Sequence, residues 1–320
     1  MSAQELTLDR YQQFMQINAQ AHLLRAARES GVIEQLRQGQ ATADQLIERL
    51  NLQPRLTHLL LDALVAMQAI EKYGDDYALA AVTRLFCQYD ADLGDQHWCG
   101  LVGQMRGSTR GSTSDYFDES TATQWVHTSA AKQAAEILDI GGERKSRKIL
   151  DLGCGSAVWS AAMAYADPQS HVTAIDTASR VVAAKRTVDS IELGTRYTFV
   201  DAEPETAELG TNTYDLVLVA GRFSGMSPER GEQLIQRSKR ALKVGGELVL
   251  IDLFRGPGKP GVNEALEAMR LAAKTSEGHI RDAEATRNLL LENGFTACQF
   301  AFIAASRQGW GMLLAVKNAD

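Results

Sequence analysis

LDLGCGSAVWSAAM, residues 150–163, decides the fold of this chain, because it joins a buried strand to a helix through a glycine loop. An apolar strand runs to Asp151, the chain turns through Gly153 and Gly155, and helical periodicity begins near Ser156. Glycines permit so tight a turn and let a ligand approach the backbone closely. The stretch therefore predicts a ligand-binding turn at the carboxyl end of a strand.

A second acid stands at a defined distance from this loop. Asp176 ends the next predicted strand, 21 residues after Gly155. A carboxylate at that place can accept hydrogen bonds from both hydroxyls of a ribose. The alternative is that Asp176 caps the helix that follows Thr177. We favour the ribose role, and we expect Asp176 and Thr177 to contact a cofactor.

The charge at the start of the loop separates two classes of cofactor. Asp151 stands two residues before Gly153, and Ala157 occupies the third position of the loop. A carboxylate there repels the pyrophosphate of a dinucleotide, but it suits the ammonium group of a methionine moiety. We therefore favour an aminoacyl-nucleoside over NAD.

From Arg147 onward, short apolar runs alternate with segments of helical period. Such alternation builds a parallel, doubly wound α/β sheet. Two further runs near the end of the chain are close enough in sequence to pair antiparallel. We predict a Rossmann-like, seven-stranded domain over residues 146–320. The runs are KILDL (148–152), HVTAID (171–176), YTFVD (197–201), YDLVLVAG (214–221), GELVLIDL (246–253), ACQFAFIAA (297–305) and GWGMLLAVKN (309–318).

The third of these strands ends in another acid. Asp201 and Ala202 follow YTFV at what would be a carboxyl strand end. An acid there can accept a hydrogen bond from an exocyclic adenine amine. A solvated loop acid is an equally good interpretation of Asp201 from the sequence alone.

The first hundred residues have a mainly helical pattern. Thr42 and Gln45 have the spacing of a capping box and begin a short helix, and a second helix follows Pro54. AIEKYGDDYALA (69–80) then predicts a hairpin that turns at its Gly-Asp pair. This order predicts a winged helix within residues 1–105.

The predicted winged helix could serve DNA binding or dimerisation. DNA binding needs basic side chains on the second helix, yet residues 54–70 offer almost none beyond Arg55 and His58. We therefore favour a dimerisation module. Residues 106–145 follow as a linker and cleft-lining helical segment. Within it, residues 106–129 are rich in Gly, Ser and Thr and lack a clean period.

Composition and charge exclude several other classes. The net charge is -7 and no basic run occurs, so we expect no nucleic-acid partner. The four cysteines include no CxxC pair, and no His cluster has zinc spacing, so we expect reduced thiols, a cytoplasmic protein and no metal. The first residues have no apolar signal region and no run of 18 apolar residues occurs, so we expect no export signal or membrane span.

These features resemble the class I S-adenosylmethionine-dependent methyltransferases, specifically the small-molecule O-methyltransferase type with an N-terminal winged-helix dimerisation domain. The resemblance spans nearly the whole chain and implies a homodimer that binds a small molecule between its two domains. It implies that Gly153 and Gly155 bind the methionine part of the cofactor, that Asp176 binds the ribose, and that Asp201 with Ala202 binds the adenine. It rests on LDLGCGSA, AIDTA, DAEPE, YDLVLVAGRFS, ALKVGGELVLID and AEATRNLLLENGF.

The chain departs from this family after the fourth strand, where many members carry a histidine base. VAGRFSG (219–225) has Gly221 and Arg222 there. Arg222 would orient an acidic substrate or lower the pKa of a nucleophile, with a surface ion pair as the alternative. His279 and His127 are the candidate bases, each with a surface or capping role as its alternative.

Four aromatic side chains are candidates for the wall of a flat substrate site. Trp125 is also expected to touch the methionine end of the cofactor, and ordinary core burial is the alternative for all four. They are Tyr116, Phe117, Trp125 and Trp159.

We conclude from the sequence that the chain transfers a methyl group from S-adenosylmethionine to oxygen on a small hydroxylated metabolite, an aromatic one in the narrower form of the hypothesis. S-adenosylhomocysteine is then the product. An N- or C-methyltransferase on the same fold remains open, as does an inactive cofactor-binding regulator. An NAD-dependent oxidoreductase is disfavoured by Asp151.

Overall fold

A computed structural model describes residues 3–89, 92–107 and 112–318 of the chain. Its internal contacts divide the chain into two units, Met1–Gln96 and His97–Asp320. Each unit is described by itself below. The domain limits drawn from the sequence stay a prediction.

The first unit consists of helices around a small antiparallel sheet. The capping box is confirmed, because the Thr42 hydroxyl accepts from the Gln45 amide at 3.3 Å and the Gln45 side chain accepts from the Thr42 amide at 3.0 Å. The hairpin is confirmed too, with Ile70 opposite Leu79. The elements are α1 Ala3–Glu29, α2 Val32–Gln38, β1 Ala41–Thr42, α3 Ala43–Leu50, α4 Pro54–Ala66, β2 Ile70–Tyr73, β3 Asp76–Leu79 and α5 Ala81–Tyr89.

Apolar side chains from these elements form one core. Leu46 of α3, Leu61 and Leu64 of α4, and Ile70 of β2 are almost completely buried in it. The order of two helices and a hairpin is the one expected from the sequence. That this arrangement is a winged helix used for dimerisation stays a prediction.

The second unit is a seven-stranded sheet with helices on both faces. Its strand order is β11-β12-β8-β7-β4-β5-β6, parallel except where β12 pairs antiparallel with β8 and β11. The doubly wound sheet and its terminal antiparallel hairpin are therefore confirmed. The strands of this sheet are β4 Lys148–Leu152, β5 His171–Asp176, β6 Tyr197–Asp201, β7 Tyr214–Ala220, β8 Leu242–Asp252, β11 Phe295–Phe302 and β12 Gly311–Lys317. Two short strands, β9 Phe254–Arg255 and β10 Arg281–Asp282, pair in parallel as a separate two-stranded sheet.

The helices of this unit cover the sheet and its carboxyl edge. Helix α6 runs across the division between the two units. The helices are α6 Asp95–Met105, α7 Thr113–Thr123, α8 Thr128–Ile137, α9 Val158–Ala166, α10 Ala178–Asp189, α11 Pro228–Ala241, α12 Val262–Lys274 and α13 Ala283–Glu292, with 3-10 turns at Gln124–His127, Gly194–Arg196 and Phe223–Gly225.

Burial on both faces explains why the central strands are continuously apolar. In β7, Leu216 and Leu218 belong to the core on one face, while Val217 and Val219 belong to the core on the other. All four side chains have no exposed surface.

The strand order reverses between β4 and β7, which lie side by side. In open α/β sheets, ligands bind outside the carboxyl ends of the strands at such a reversal. The residues after those two strands, Gly153 and Arg222, therefore meet at the place where a ligand site is expected.

The segment with no clean sequence period is mostly helical. Helix α7 begins at Thr113 and is capped by Ser112, whose hydroxyl accepts from the Asp115 amide. Helix α8 follows after the 3-10 turn. The lack of a clean sequence period in residues 106–129 therefore did not mean a lack of helix, and a role in linking the domains or lining a cleft stays a prediction. Residues 108–111 lie outside the described part of the chain. No described helix is long and apolar enough to cross a membrane.

Candidate functional site

The glycine loop after β4 is held in a conformation that few other residues could adopt. Gly153 and Gly155 have φ angles of 80° and 56°. The Gly153 amide donates to the carbonyl of Ile175 at 2.9 Å, which holds the turn against β5. A Cβ at Gly153 would overlap the Cδ of Arg222. The helix begins at Val158, slightly later than the sequence indicated.

Asp176 connects this loop to the next strand. Its side chain is 1% exposed. Oδ2 accepts from the Gly155 amide at 3.0 Å, and Oδ1 accepts from the Thr177 amide at 2.9 Å and from Arg180 at 3.2 Å. The N-cap of α10 is Thr177, so the capping alternative for Asp176 is wrong.

Arg180, which sequence reasoning missed, fixes helix α7 beside this carboxylate. Its side chain is buried and also donates to Asp118 at 2.9 Å and to the backbone oxygen of Ser114 at 3.0 Å. Both partners lie more than 60 residues earlier in the chain. A buried guanidinium needs several acceptors, and here α7 supplies them.

Arg222 follows β7, and its side chain extends over the glycine loop at Gly153. It is 3% exposed, so the surface ion-pair alternative is wrong. Its Nη2 donates to Glu205 at 3.0 Å, and its Nη1 is 3.8 Å from Asp176. The guanidinium also stacks on the Phe117 ring at 4.3 Å from the ring centre.

Asp151 is a buried acid in β4, two residues before the first glycine of the same loop. Burial raises its pKa to about 7, the charge of Asp176 raises it further, and the Ser160 hydroxyl opposes the rise. No described residue hydrogen-bonds to its Oδ2. A buried acceptor oxygen without a donor costs free energy of folding. Such an unpaired atom is typical of a site where a ligand supplies the missing donor.

Gln124 also contacts the glycine loop, and it was not identified from the sequence. Its side-chain oxygen accepts from the amide and the hydroxyl of Ser156, each at 2.9 Å. Trp125 follows it on the same 3-10 turn and is half-buried. Contact between Trp125 and a cofactor stays a prediction.

His127, at the end of that turn, is buried in an aromatic stack. Its ring centre lies 4.1 Å from Trp310 and 5.5 Å from Trp159. Burial lowers the pKa of His127 to about 4. The imidazole is therefore neutral at physiological pH and is a weak proton acceptor.

His279 lies at the same edge of the sheet but is exposed. Its amide donates to the carbonyl of Ser224, in the 3-10 turn after Arg222, at 2.8 Å. Ser224 is itself held by Asp252, which accepts from its amide and hydroxyl, each at 2.9 Å. Burial raises the pKa of Asp252 to about 6.

The residues predicted to bind adenine, Asp201 and Ala202, follow β6, which is the neighbour of β5 on the side away from the glycine loop. Asp201 pairs in register with Asp176 on the neighbouring strand, and its side chain is exposed. The Ala202 amide donates to the carbonyl of Asp176 at 3.1 Å. The sheet thus brings Asp151, the glycine loop, Asp176 and Asp201 to one edge. Among the described residues, no group of three or more His, Cys, Asp or Glu could hold a metal ion.

Three comparisons with known proteins agree with this geometry. The family model described as a methyltransferase domain matches residues 149–246. The N,N-dimethyltransferase OxyT of Streptomyces rimosus is 25% identical over 93% of both chains.

Solved structures match over nearly the entire chain. The mitomycin 7-O-methyltransferase MmcR aligns with a TM-score of 0.76 at 16% identity, covering 98% of this chain and 99% of that one. Human N-acetylserotonin methyltransferase, solved with S-adenosylmethionine, aligns with a TM-score of 0.72 at 17% identity, covering 100% and 99%. Residues 149–246, which place the glycine loop and Asp176 at the carboxyl edge of the seven-stranded sheet, are therefore a methyltransferase domain, and the chain is similar in fold to a methyltransferase solved with S-adenosylmethionine.

Proposed function

We propose that this enzyme methylates an oxygen atom of a small hydroxylated aromatic metabolite. One observation carries the proposal: the glycine loop and Asp176 lie at the carboxyl edge of the sheet together with the aromatic side chains Phe117 and Trp310. The full-length likeness to MmcR and N-acetylserotonin methyltransferase supports oxygen as the acceptor atom and an aromatic substrate.

The proposed cofactor position fits the hydrogen-bonding capacity of Asp176. An ionised carboxylate accepts about four hydrogen bonds. The described residues supply three, of which only one reaches Oδ2. The remaining capacity suits a ribose hydroxyl. In this proposal Gly153 and Gly155 accommodate the methionine part, Asp201 and Ala202 adjoin the adenine, and Thr177 and Trp125 complete the site.

Methyl transfer from a sulfonium requires chiefly that nucleophile, methyl carbon and sulfur be aligned in a site without water. The stack of His127 with Trp159 and Trp310 supplies such a rigid, dry wall. We assign the proton acceptor to His279, because His127 is a weak base and His279 adjoins the turn after Arg222.

The first experiment is calorimetric titration of the purified protein with S-adenosylhomocysteine, with NADH as the control ligand. We expect micromolar binding of S-adenosylhomocysteine alone. A panel of phenols, alcohols and amines with labelled S-adenosylmethionine then identifies the acceptor, and product NMR locates the new methyl group. Binding of NADH alone would overturn the cofactor assignment, and labelled N-methyl products alone would overturn the choice of oxygen.

Transfer to nitrogen or carbon is the second candidate, and one observation favours it. The residues after β7 are Gly221 and Arg222 where many O-methyltransferases carry a histidine. An amine acceptor needs no strong base, and the relative OxyT is an N,N-dimethyltransferase. The same product analysis decides between the two candidates.

We also propose that the enzyme is a cytoplasmic homodimer joined through its N-terminal winged-helix domain. Helix α1 exposes a set of large apolar residues that a second copy would cover. Light scattering should give twice the mass of one chain, and Phe14→Glu should reduce it, whereas Gln13→Glu on the same helix should not. A monomeric wild-type protein would contradict this proposal. The exposed residues are Leu6, Leu8, Tyr11, Phe14, Met15 and Ile17.

A further inference from the structure

Residues 256–280, which contain α12, form a separate segment between the short strands β9 and β10. The two ends of this α12 segment lie side by side, because β9 pairs in parallel with β10 and Phe254 stands opposite Arg281. A segment whose ends are joined at one base can move as a unit while the rest of the fold stays in place. The sheet pairing therefore supplies a fixed base for such a movement.

The first end of the α12 segment is exposed and loosely packed. It consists of GPGKPG (256–261), and all six residues are exposed. At each of its three glycines, no atom of the described residues lies within 4 Å of the point that a Cβ would occupy. Small, exposed residues at the end of an element are typical of hinges. This end can therefore change its backbone angles without meeting a neighbour.

Helix α12 covers an apolar cluster but buries little surface of its own. Of the described side chains of α12, Leu271 alone is buried. Leu271 belongs to a cluster with Phe117, Leu253 and Ile280, and Trp310 packs against the same cluster. Elements with few buried apolar contacts open at a lower free energy than the rest of a fold. Movement of α12 would expose the cluster to which Phe117 and Trp310 contribute.

Polar contacts hold α12 against α7. The Tyr116 hydroxyl of α7 donates to Glu267 of α12 at 2.7 Å. Arg270 donates to Ser120 at 3.0 Å, and its guanidinium lies 4.8 Å from the centre of the Tyr116 ring. Tyr116 is 4% exposed, so its hydroxyl would lose a partner in a buried place if Glu267 were removed. The bond between Tyr116 and Glu267 therefore favours the position of α12 against α7.

The second end of the α12 segment carries His279. The His279 amide donates to the carbonyl oxygen of Ser224, in the turn after β7, at 2.8 Å. Gly278 packs closely on the same turn, because a Cβ there would lie 3.1 Å from that oxygen. The position of the α12 segment therefore determines where His279 stands.

We propose that the α12 segment is a lid that opens to admit the acceptor and closes to place His279 beside it, with the bond between Tyr116 and Glu267 as its latch. The inference rests on the proposed function, because it takes His279 as the proton acceptor and Phe117 and Trp310 as part of the acceptor site. Closure excludes water, which methyl transfer from a sulfonium requires. Tyr116 and Glu267 are positioning residues, since they act through α12.

Hydrogen exchange, followed by mass spectrometry on the complete protein, measures the opening of this lid. We expect the amides of α12 to exchange at least about tenfold faster than those of α11, whose Leu234 and Ile235 are buried. Glu267→Leu should accelerate exchange over residues 262–280 about tenfold more and leave α11 unchanged.

A matched control lies one turn away on the same helix. The carboxylate of Glu264 pairs with Arg255 at the base of the segment and not with α7. Glu264→Leu should therefore leave the exchange of α12 unchanged. If Glu267→Leu does not fold, Tyr116→Phe removes the same bond from the α7 side and should accelerate exchange over the same residues.

Turnover separates a latch from a residue that only stabilises the fold. With the acceptor that the panel identifies, Glu267→Leu should lower turnover about tenfold and leave the calorimetric affinity for S-adenosylhomocysteine unchanged. Full turnover in this variant would overturn the latch. Exchange of wild-type α12 as slow as that of α11 would overturn the lid, and equal acceleration of both helices would make Glu267 a general stability residue. Wild-type protein that does not bind S-adenosylhomocysteine would overturn the proposed function itself, which is a result separate from the exchange of α12.

Discussion

The side-chain oxygen of Gln124 accepts hydrogen bonds from both the amide and the hydroxyl of Ser156, across 32 residues of chain. It also lies 3.4 Å from the amide of Val158, the first residue of α9. The N-cap of that helix, Ala157, has no side chain that could accept these amides. Gln124 therefore caps α9 from a distance and stabilises the glycine loop that precedes it.

We expect Gln124→Leu to lower the free energy of unfolding by about 1 to 3 kcal/mol, because it leaves buried donors without an acceptor. The loop should also bind S-adenosylhomocysteine less tightly. Urea unfolding and calorimetry measure the two effects, and Gln236→Leu, at an exposed position of α11, is the control. Stability equal to the wild type would show that the loop does not depend on Gln124.

Replacement of Asp176 should affect the cofactor and the fold together. Asp176→Ala removes the acceptor of the Gly155 amide and the partner of buried Arg180. We expect S-adenosylhomocysteine binding to weaken by about 1 to 3 kcal/mol and the melting temperature to fall. Calorimetry and thermal unfolding measure this, with Glu232→Ala on the exposed face of α11 as the control. Unchanged affinity would remove Asp176 from the cofactor site.

The buried acid below the loop should make stability depend on pH. The unfolded chain releases the Asp151 proton near pH 3.8, whereas the folded chain keeps it up to a pKa of about 7. The free energy of unfolding should therefore fall as the pH rises between these values, by at most about 1.4 kcal/mol per pH unit.

Asp151→Asn should flatten that slope, since the amide does not titrate. Urea unfolding between pH 4 and 8 measures it. Asp252, whose pKa burial raises to about 6, contributes in the same direction and remains in the variant. An identical slope in both proteins would rule out Asp151 as its source.

His279→Ala should reduce turnover and leave the affinity for S-adenosylhomocysteine unchanged. A general base contributes about 10²- to 10⁴-fold to such a reaction. The matched control is His171→Ala, an exposed histidine at the amino end of β5, which should keep full activity. Steady-state kinetics with the identified acceptor measure both variants. Full activity of His279→Ala would eliminate this residue as the base.

The sequence predicted the parts of the site that depend on local chain geometry. The glycine loop and Asp176 follow directly after parallel strands, and the carboxyl ends of such strands meet at one edge. The alternation of strands and helices in the sequence was therefore sufficient to predict that these residues lie together at that edge.

Gln124 and Arg180 could not be found in this way, because each acts across a large sequence separation. Gln124 reaches Ser156, and Arg180 reaches Asp118 on α7. The polar segment that forms α7 shows no clean hydrophobic period. One local signal was present in it, since Ser112 stands three residues before Asp115 at the spacing of a helix N-terminus.

The Asp176 carboxylate is shared between Arg180 and the proposed ribose site, which couples the binding of the two ligands. Arg180 binds this carboxylate with one nitrogen and binds Asp118 and Ser114 of α7 with the others. A ribose that engages Asp176 should therefore favour the position of the arginine that holds α7, and α7 carries Phe117, a candidate side chain of the substrate site. Occupancy of one ligand should raise the affinity for the other, by the same factor in both directions. We accordingly expect the acceptor to bind more tightly to the complex with S-adenosylhomocysteine than to the free enzyme.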